Sequence, residues 1–295
     1  KPVVVHNRRF LDYRHPKVIE YMTDSIRYMV ELLGAEYVKL DFNQDCAVGT
    51  EVDAISFGEG LECAARAYLD WVDSLRKEYP DVIFETCSSG GMRMDYGTLS
   101  HFSIVSTSDQ ISYKKYPYIV GNVLSCVLPE QAAVWSYPVD SKVEGFAPTS
   151  EWVNQNVSDE QIIMNMINGF LGRMHLSSHI ELLNEDKIGL VRDGIEYYNS
   201  LKDIKKIAVP YMPLGFTRFG SNLVASGLLT KKRLYLAVWN LDGELDVDIP
   251  LYEIKPLAAN IAYPKSSLVE VSLNGDILNV NFTDKIQAIM LEIEL

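Results

Sequence analysis

Along the first two thirds of the chain, apolar and polar positions switch repeatedly between a two-residue and a helical period. Val3 to His6, Tyr37 to Asp41, Val82 to Cys87, Ser103 to Thr107, Ala132 to Trp135 and Phe170 to Met174 read as strands. Between them, His15-Pro16 opens a helical pattern through Ile19, Met22, Ile26 and Met29, and a longer helix carries Leu61, Ala64, Ala65, Tyr68, Leu69 and Val72. Short helices are predicted over Met92 to Leu99 and Tyr116 to Val127, the second ended by Pro129. Helical spacing resumes over 159 to 168, and a last helix runs from about Asp186 to Ile207.

About six strand-helix units in succession predict an α/β fold with a parallel sheet and helices outside it. Polar residues at the strand ends favour a closed (β/α)8 TIM-type barrel over an open doubly wound sheet. Such a barrel needs more strands than are visible. The chain begins Lys-Pro-Val-Val without an initiator methionine, so the missing first strands are expected upstream.

After Pro210 the pattern becomes a series of short runs rich in Val, Ile and Leu: Leu223 to Ser226, Arg233 to Asn240, Leu245 to Ile249, Ser267 to Ser272, Ile277 to Phe282 and Ala288 to Ile293. Asp242-Gly243 and Asn274-Gly275 are hairpin-type turn signals between them. The expected organisation is a barrel domain over 1–209 and an antiparallel β-sandwich domain over 210–295.

Composition narrows the function. Nearly half of the 295 residues are apolar, without a low-complexity tract or a membrane-length run, which indicates a soluble protein. The net charge of −13 argues against nucleic acid or an anionic membrane as partner. Cys46, Cys63, Cys87 and Cys126 lie too far apart for a zinc motif and too sparsely for a disulfide scaffold, so a reducing, cytoplasmic setting is expected.

Chemistry concentrates at three strand ends. Lys39 and Asp41 share the polar face of Tyr37 to Asp41, with Asn43 continuing it, and burying such a pair is costly unless it is paired or used. Cys87-Ser88-Ser89-Gly90-Gly91-Met92-Arg93-Met94-Asp95 is a glycine-containing turn directly after a strand, where glycine permits unusual dihedrals and close approach of a ligand. Thr107-Ser108-Asp109-Gln110 follows the next strand. Two carboxylates on one barrel rim can serve as nucleophile and general acid in glycoside cleavage, but rim aspartates also bind metals or cap loops.

Taken together the three segments resemble glycoside hydrolase family 36. Tyr-Val-Lys-Leu-Asp-Phe-Asn is similar to that family's nucleophile segment, Cys-Ser-Ser-Gly-Gly-Met-Arg-Met-Asp to its Cys-Ser-Ser-Gly-Gly-Gly-Arg-Phe-Asp turn, and Thr-Ser-Asp-Gln to its acid/base segment. They occur in the family's order at nearly its spacing, and the likeness extends over roughly residues 1–207. The resemblance implies a retaining α-galactosidase without cofactor or metal, acting on oligosaccharides, with a possible homo-oligomer as the working form. Asp41 would attack the anomeric carbon, and Asp109 would protonate the leaving oxygen and then activate water. Their carboxyl groups would lie about 5 Å apart, with Lys39 keeping Asp41 ionised. Lys39, Asn43, Cys87 and Gly90 would contact sugar hydroxyls, while Arg93 and Asp95 would brace the turn.

Four positions depart from the family pattern: Leu40 replaces a tryptophan, Phe42 a methionine, Gln44 an arginine and Met92 a glycine. The changes at Gln44 and Met92 bear on which sugar and aglycone are accepted, so α-N-acetylgalactosaminidase and galactosyl transferase are alternatives within the family. Cys87 and Gly90 favour galactose.

Outside the family, Lys39 could form a Schiff base in a class I aldolase, or the chain could be a catalytically silent sugar-binding fragment. His175 and His179 have the four-residue spacing of a helical metal pair, yet their surroundings are strand-like and lack a metalloprotease glutamate, which favours structural roles. Alternation of Asp242, Glu244, Asp246 and Asp248 is that of a solvated edge strand.

Overall fold

A computed structural model describes residues 4–5, 8–43, 49–139 and 148–295, with backbone alone at 4, 5 and 8. Gln44, Asp45 and Cys46 lie outside the described residues, as do Val3 and His6 of the first expected strand. Tertiary contacts divide the chain into two compact units, Lys1–Thr107 and Ser108–Leu295.

In the first unit, β1 (Val4–Val5) pairs antiparallel with β2 (Arg8–Arg9). The first run therefore forms a local hairpin rather than the opening strand of the parallel sheet. Only two residues separate its strands, whereas a parallel pairing needs a crossover of about a dozen residues or more. α1 (Pro16–Arg27) starts with Pro16 in the first turn and His15 as its cap, Nδ1 accepting from the Lys17 N–H. A π-helical turn over Tyr28–Leu32 then leads to β3 (Tyr37–Asp41).

α2 (Phe57–Glu78) is capped by Ser56, whose hydroxyl accepts from the Glu59 N–H, while the Glu59 carboxylate accepts in return from the Ile55 N–H. Its apolar stripe carries Tyr68, Trp71, Val72 and Leu75 into a core with Ile26, Val38, Phe84 and Phe102. Burial of Val72, Leu75 and Phe84 is complete and contributes about 2 kcal/mol each by transfer from water. β4 (Ile83–Cys87), α3 (Tyr96–Leu99) and β5 (Ile104–Ser106) follow. β3, β4 and β5 run parallel in that order. The helix expected from Met92 begins only at Tyr96, because Asp95 is extended (φ −78°, ψ 152°) and caps it.

The second unit opens with α4 (Pro117–Val123), β6 (Ala132–Ser136) and α5 (Ser150–Asn156). There follow α6 (Asp159–Phe170), β7 (Arg173–Leu176), α7 (Glu185–Ser200) and α8 (Lys202–Lys205). β6 and β7 are parallel neighbours. Phe170 ends a helix instead of opening the strand, which starts at Arg173. Every residue of α6 from Ile162 to Phe170 is buried, and an apolar run covered on all sides shows no period that separates helix from strand. The long helix expected to Ile207 is capped by Asn184 and breaks at Leu201.

The remaining strands are β8 (Val209–Tyr211), β9 (Leu223–Leu229), β10 (Arg233–Leu241), β11 (Asp246–Pro250), β12 (Ala258–Tyr263), β13 (Glu270–Asn274), β14 (Ile277–Asn281) and β15 (Ile286–Glu294). They form two antiparallel sheets, ordered β12-β15-β10-β9-β8 and β11-β14-β13. The change of pattern expected at 209/210 falls at β8, inside this unit. β8 and β12 escape the sequence pattern because one carries Pro210 at a sheet edge and the other is alanine-rich. Asn274 pairs with Ile277 across a two-residue loop with Gly275 at positive φ, as the Asn-Gly signal implies. Asp246 and Asp248 stand exposed on edge strand β11, both accepting from the Asn279 side chain.

Leu234, Leu236 and Val238 face Ile249, Leu278 and Val280 between the two sheets. The alternate face of β10 is buried too, and there Trp239 donates its indole N–H to Asn168 of α6 at 2.9 Å. Glu160, in the first turn of α6, accepts from the Ala288 N–H at 2.8 Å. Burial, aided by Asp284 and Asp159, pushes its carboxyl up to about 7.

Because folded Glu160 holds its proton to higher pH than an unfolded glutamate, this group removes stability as pH rises from about 4.5 to about 7. Glu160→Gln keeps the acceptor for Ala288 without the charge. Urea denaturation is expected to show the variant equal to wild type near pH 4.5 and more stable by about 3 kcal/mol above neutrality.

Candidate active site

Pairing of β3 with β4 assembles the candidate residues of the first unit. Val38 and Leu40 point into the core below, while Lys39 and Asp41 share the opposite face. In register, Lys39 stands opposite Glu85 and Asp41 opposite Cys87. The Lys39 ammonium lies 3.4 Å from the Glu85 carboxylate, so the ion partner is a cross-strand acid rather than Asp41 alone. Burial would lower the lysine's proton affinity, but Glu85 and Cys87, with a smaller contribution from Asp41, raise it above the ordinary lysine value. Glu85 itself is 1% exposed, and its second oxygen accepts from the Tyr37 hydroxyl.

Asn43 connects Asp41 to the glycine turn. Its amide donates to the Asp41 carboxylate at 2.6 Å, and its carbonyl oxygen accepts from the Ser89 N–H at 2.8 Å. Phe42 N–H continues the pairing to the Cys87 carbonyl at 2.8 Å, while Ser88 donates its hydroxyl to the Phe42 carbonyl. The Cys87 thiol is buried beside Asp41 and the Gly90 backbone, and burial pushes its proton affinity up. Gly90 adopts a φ of +79°, open to glycine at little cost. At Gly91 a Cβ would stand 2.9 Å from the Thr107 carbonyl oxygen, so the turn approaches the end of β5 too closely for a side chain.

Arg93 lies over the Phe42 ring, 3.8 Å from its centroid, and holds the turn against the end of β3. Asp95 caps α3, accepting from the Thr98 N–H at 2.9 Å and the Thr98 hydroxyl at 2.8 Å. Burial opposes ionisation there, yet these donors and Arg93 hold the carboxyl below its usual range. A cleft of about 370 Å³ opens on this face, lined among others by Phe10, Tyr13, Lys39, Asp41, Phe42 and Asn43. Seven of the eight expected residues therefore cluster in the first unit.

Asp109 belongs to the second unit and is exposed. Its loop is shaped by Gln110, whose side chain accepts from the N–H groups of Ile111 and Ser112, and by Tyr116, which donates to the Ser108 carbonyl at 3.4 Å. The Tyr116 oxygen also accepts from the Trp135 N–H, tying the loop to β6. Trp135 stacks on Tyr137 and meets His175 edge-on. Burial, with the nearby Asp109 charge, raises the Tyr137 phenol. His179 is engaged separately with Glu181 at 2.8 Å.

Sequence reasoning passed over Glu85 and Tyr137. The signal for Glu85 was present, a lone acid inside Ile83-Phe84-Glu85-Thr86-Cys87 on the face of Cys87. Nothing local marks Tyr137.

Residues 1–129, which contain all eight candidate residues, match the family model Melibiase. This stretch, less than half of the chain, is similar to that family. It is similar to probable alpha-galactosidase C of Aspergillus flavus, 33% identical over 103 residues that cover 35% of this chain and 13% of that one. Against alpha-galactosidase AgaA of Geobacillus stearothermophilus the identity is 32% over 108 residues, 35% of this chain and 14% of the relative. In fold, the chain resembles a solved structure of AgaA with 1-deoxygalactonojirimycin, TM-score 0.78 at 16% identity, over 99% of this chain and 41% of that one. The galactosidase domain of the AgaSK alpha-galactosidase-sucrose kinase gives a TM-score of 0.75 at 18% identity, over 100% and 39%. The chain thus spans well under half the length of the relatives it matches.

Within the segment, Asp95 should behave as a helix cap. Asp95→Ala is expected to lower stability by about 1 kcal/mol in urea denaturation at neutral pH, and Asp95→Asn, an equally good cap, to lose far less.

Proposed function

We propose that this chain supplies part of the catalytic barrel of a retaining α-galactosidase. Residues 1–209 would be the later strands and helices of a (β/α)8 barrel, with 210–295 as its β-sandwich domain. The observation that carries the reading is the union of family match and geometry. The matched segment holds all three motifs in order, and the first two meet around an exposed carboxylate, Asp41, at the wall of a cleft.

In this reading Asp41 attacks the anomeric carbon of a terminal α-galactosyl residue while Asp109 gives its proton to the leaving oxygen. Asp109 then takes a proton from water, which releases the sugar from Asp41 with its configuration retained. Asn43 holds Asp41 in its attacking orientation through the 2.6 Å bond and couples it to the turn. Lys39, Asn43, Cys87 and Gly90 bind sugar hydroxyls, and Arg93 and Asp95 keep the turn in place. Relatives crystallised with raffinose and stachyose support an oligosaccharide substrate. We place the protein in a reducing compartment, in keeping with its few, widely spaced cysteines.

The aldolase reading is disfavoured by the Lys39–Glu85 pair. Schiff-base formation needs a neutral amine, and the pair holds Lys39 in its charged form.

The test is Asp41→Ala in the full-length parent, assayed with an activated aryl α-galactoside and azide. Turnover should collapse without azide, and with azide a β-galactosyl azide should accumulate. Wild-type turnover in the variant overturns the assignment.

A further inference from the structure

Glu85 has the environment of a working group, yet no step above uses it. It is 1% exposed in the middle of β4, where an ionised side chain is expensive to bury without a reason. One oxygen accepts from the Tyr37 hydroxyl, and the other lies 3.4 Å from the Lys39 ammonium. Lys39 in turn lines the cleft beside Asp41. The acid thus stands behind the lysine, and the lysine stands between it and the cleft.

We propose that Glu85 is a positioning residue that anchors the Lys39 ammonium from below and keeps it aimed at the ligand in the cleft. This deepens the galactosidase reading and rests on it for its catalytic consequence. Two features of the geometry give the role its content. First, the anchor is on the neighbouring strand at the same register level, so Lys39 is held by the sheet itself and not by a loop. Second, Glu85 supplies a charge at a depth no solvent ion can reach, so Lys39 keeps its proton although burial opposes it. The charged and titratable groups that act on Lys39 include Glu85, Cys87 and Asp41, with Tyr37 bonded to Glu85 from the other side. A lysine held charged in this way donates hydrogen bonds to hydroxyl groups of a sugar and offsets the negative charge of Asp41.

Glu85→Gln preserves shape and the acceptor for Tyr37 while removing the charge. The Lys39 ε-carbon resonance, assigned by its loss in Lys39→Arg, is followed by NMR as a function of pH. In Glu85→Gln its titration is expected to fall by about one pH unit or more. An unchanged titration in the folded variant overturns the proposal. Because Glu85→Gln could unfold, thermal melts of Lys39→Met and of Lys39→Met/Glu85→Gln form the second readout. The single variant strands a buried carboxylate, and the double variant should recover most of the lost Tm. Absence of recovery assigns Glu85 a packing role unrelated to Lys39 and overturns the proposal. Neither readout depends on turnover, so each can fail independently of the galactosidase reading.

Discussion

The register between β3 and β4 governs the first unit. With Lys39 opposite Glu85 and Asp41 opposite Cys87, the polar faces of both strands coincide, and their apolar faces meet α2 together. A slip of one residue would send Lys39 and Asp41 into the Trp71, Leu75 and Phe84 core and turn Val38 and Leu40 to the cleft. The same packing that stabilises the unit therefore decides which side chains can do chemistry. Asn43 and the Phe42–Cys87 backbone bond extend that register beyond the sheet into the turn.

The second unit solves a comparable problem with a helix in place of a strand pair. α6 is buried over its whole middle, and its buried amides are matched, Asn165 to the Tyr137 N–H and the Gln161 carbonyl and Asn168 to Trp239 and the Tyr113 carbonyl, while Glu160 accepts from the Ala288 N–H. Tyr113 lies four residues beyond Asp109, so the antiparallel sheet reaches that loop through the buried amide of Asn168. Lys205, 5% exposed, donates to the Gly172 carbonyl and sits over the Tyr198 ring. Burial pushes its amine down to about 7, which marks it as a structural lysine of the helix-to-strand corner.

The polar residues of the two sites divide by how locally they are determined. Asp95 and Ser56 cap helices through bonds to residues three positions on, and such contacts are visible in sequence spacing. Glu85 and Tyr137 act on partners that are distant in sequence, and the apolar run of α6 disguised where the helix ended. β10 shows the same limit in apolar form, since burial on both faces erases the alternation that would separate its sandwich side from its α6 side.

From sequence alone came the strand-helix alternation before Pro210, the change to an antiparallel pattern near it, and the three strand-end motifs with their eight singled-out residues. Those features depend on periodicity, turn chemistry and residue type, which are local. Tertiary structure alone decided that Lys39 answers to Glu85, that Asn43 ties Asp41 to Ser89, and that the first apolar run closes into a hairpin. These depend on which strands become neighbours and at what register, and a chain's own spacing carries no record of the residue that will stand across from it.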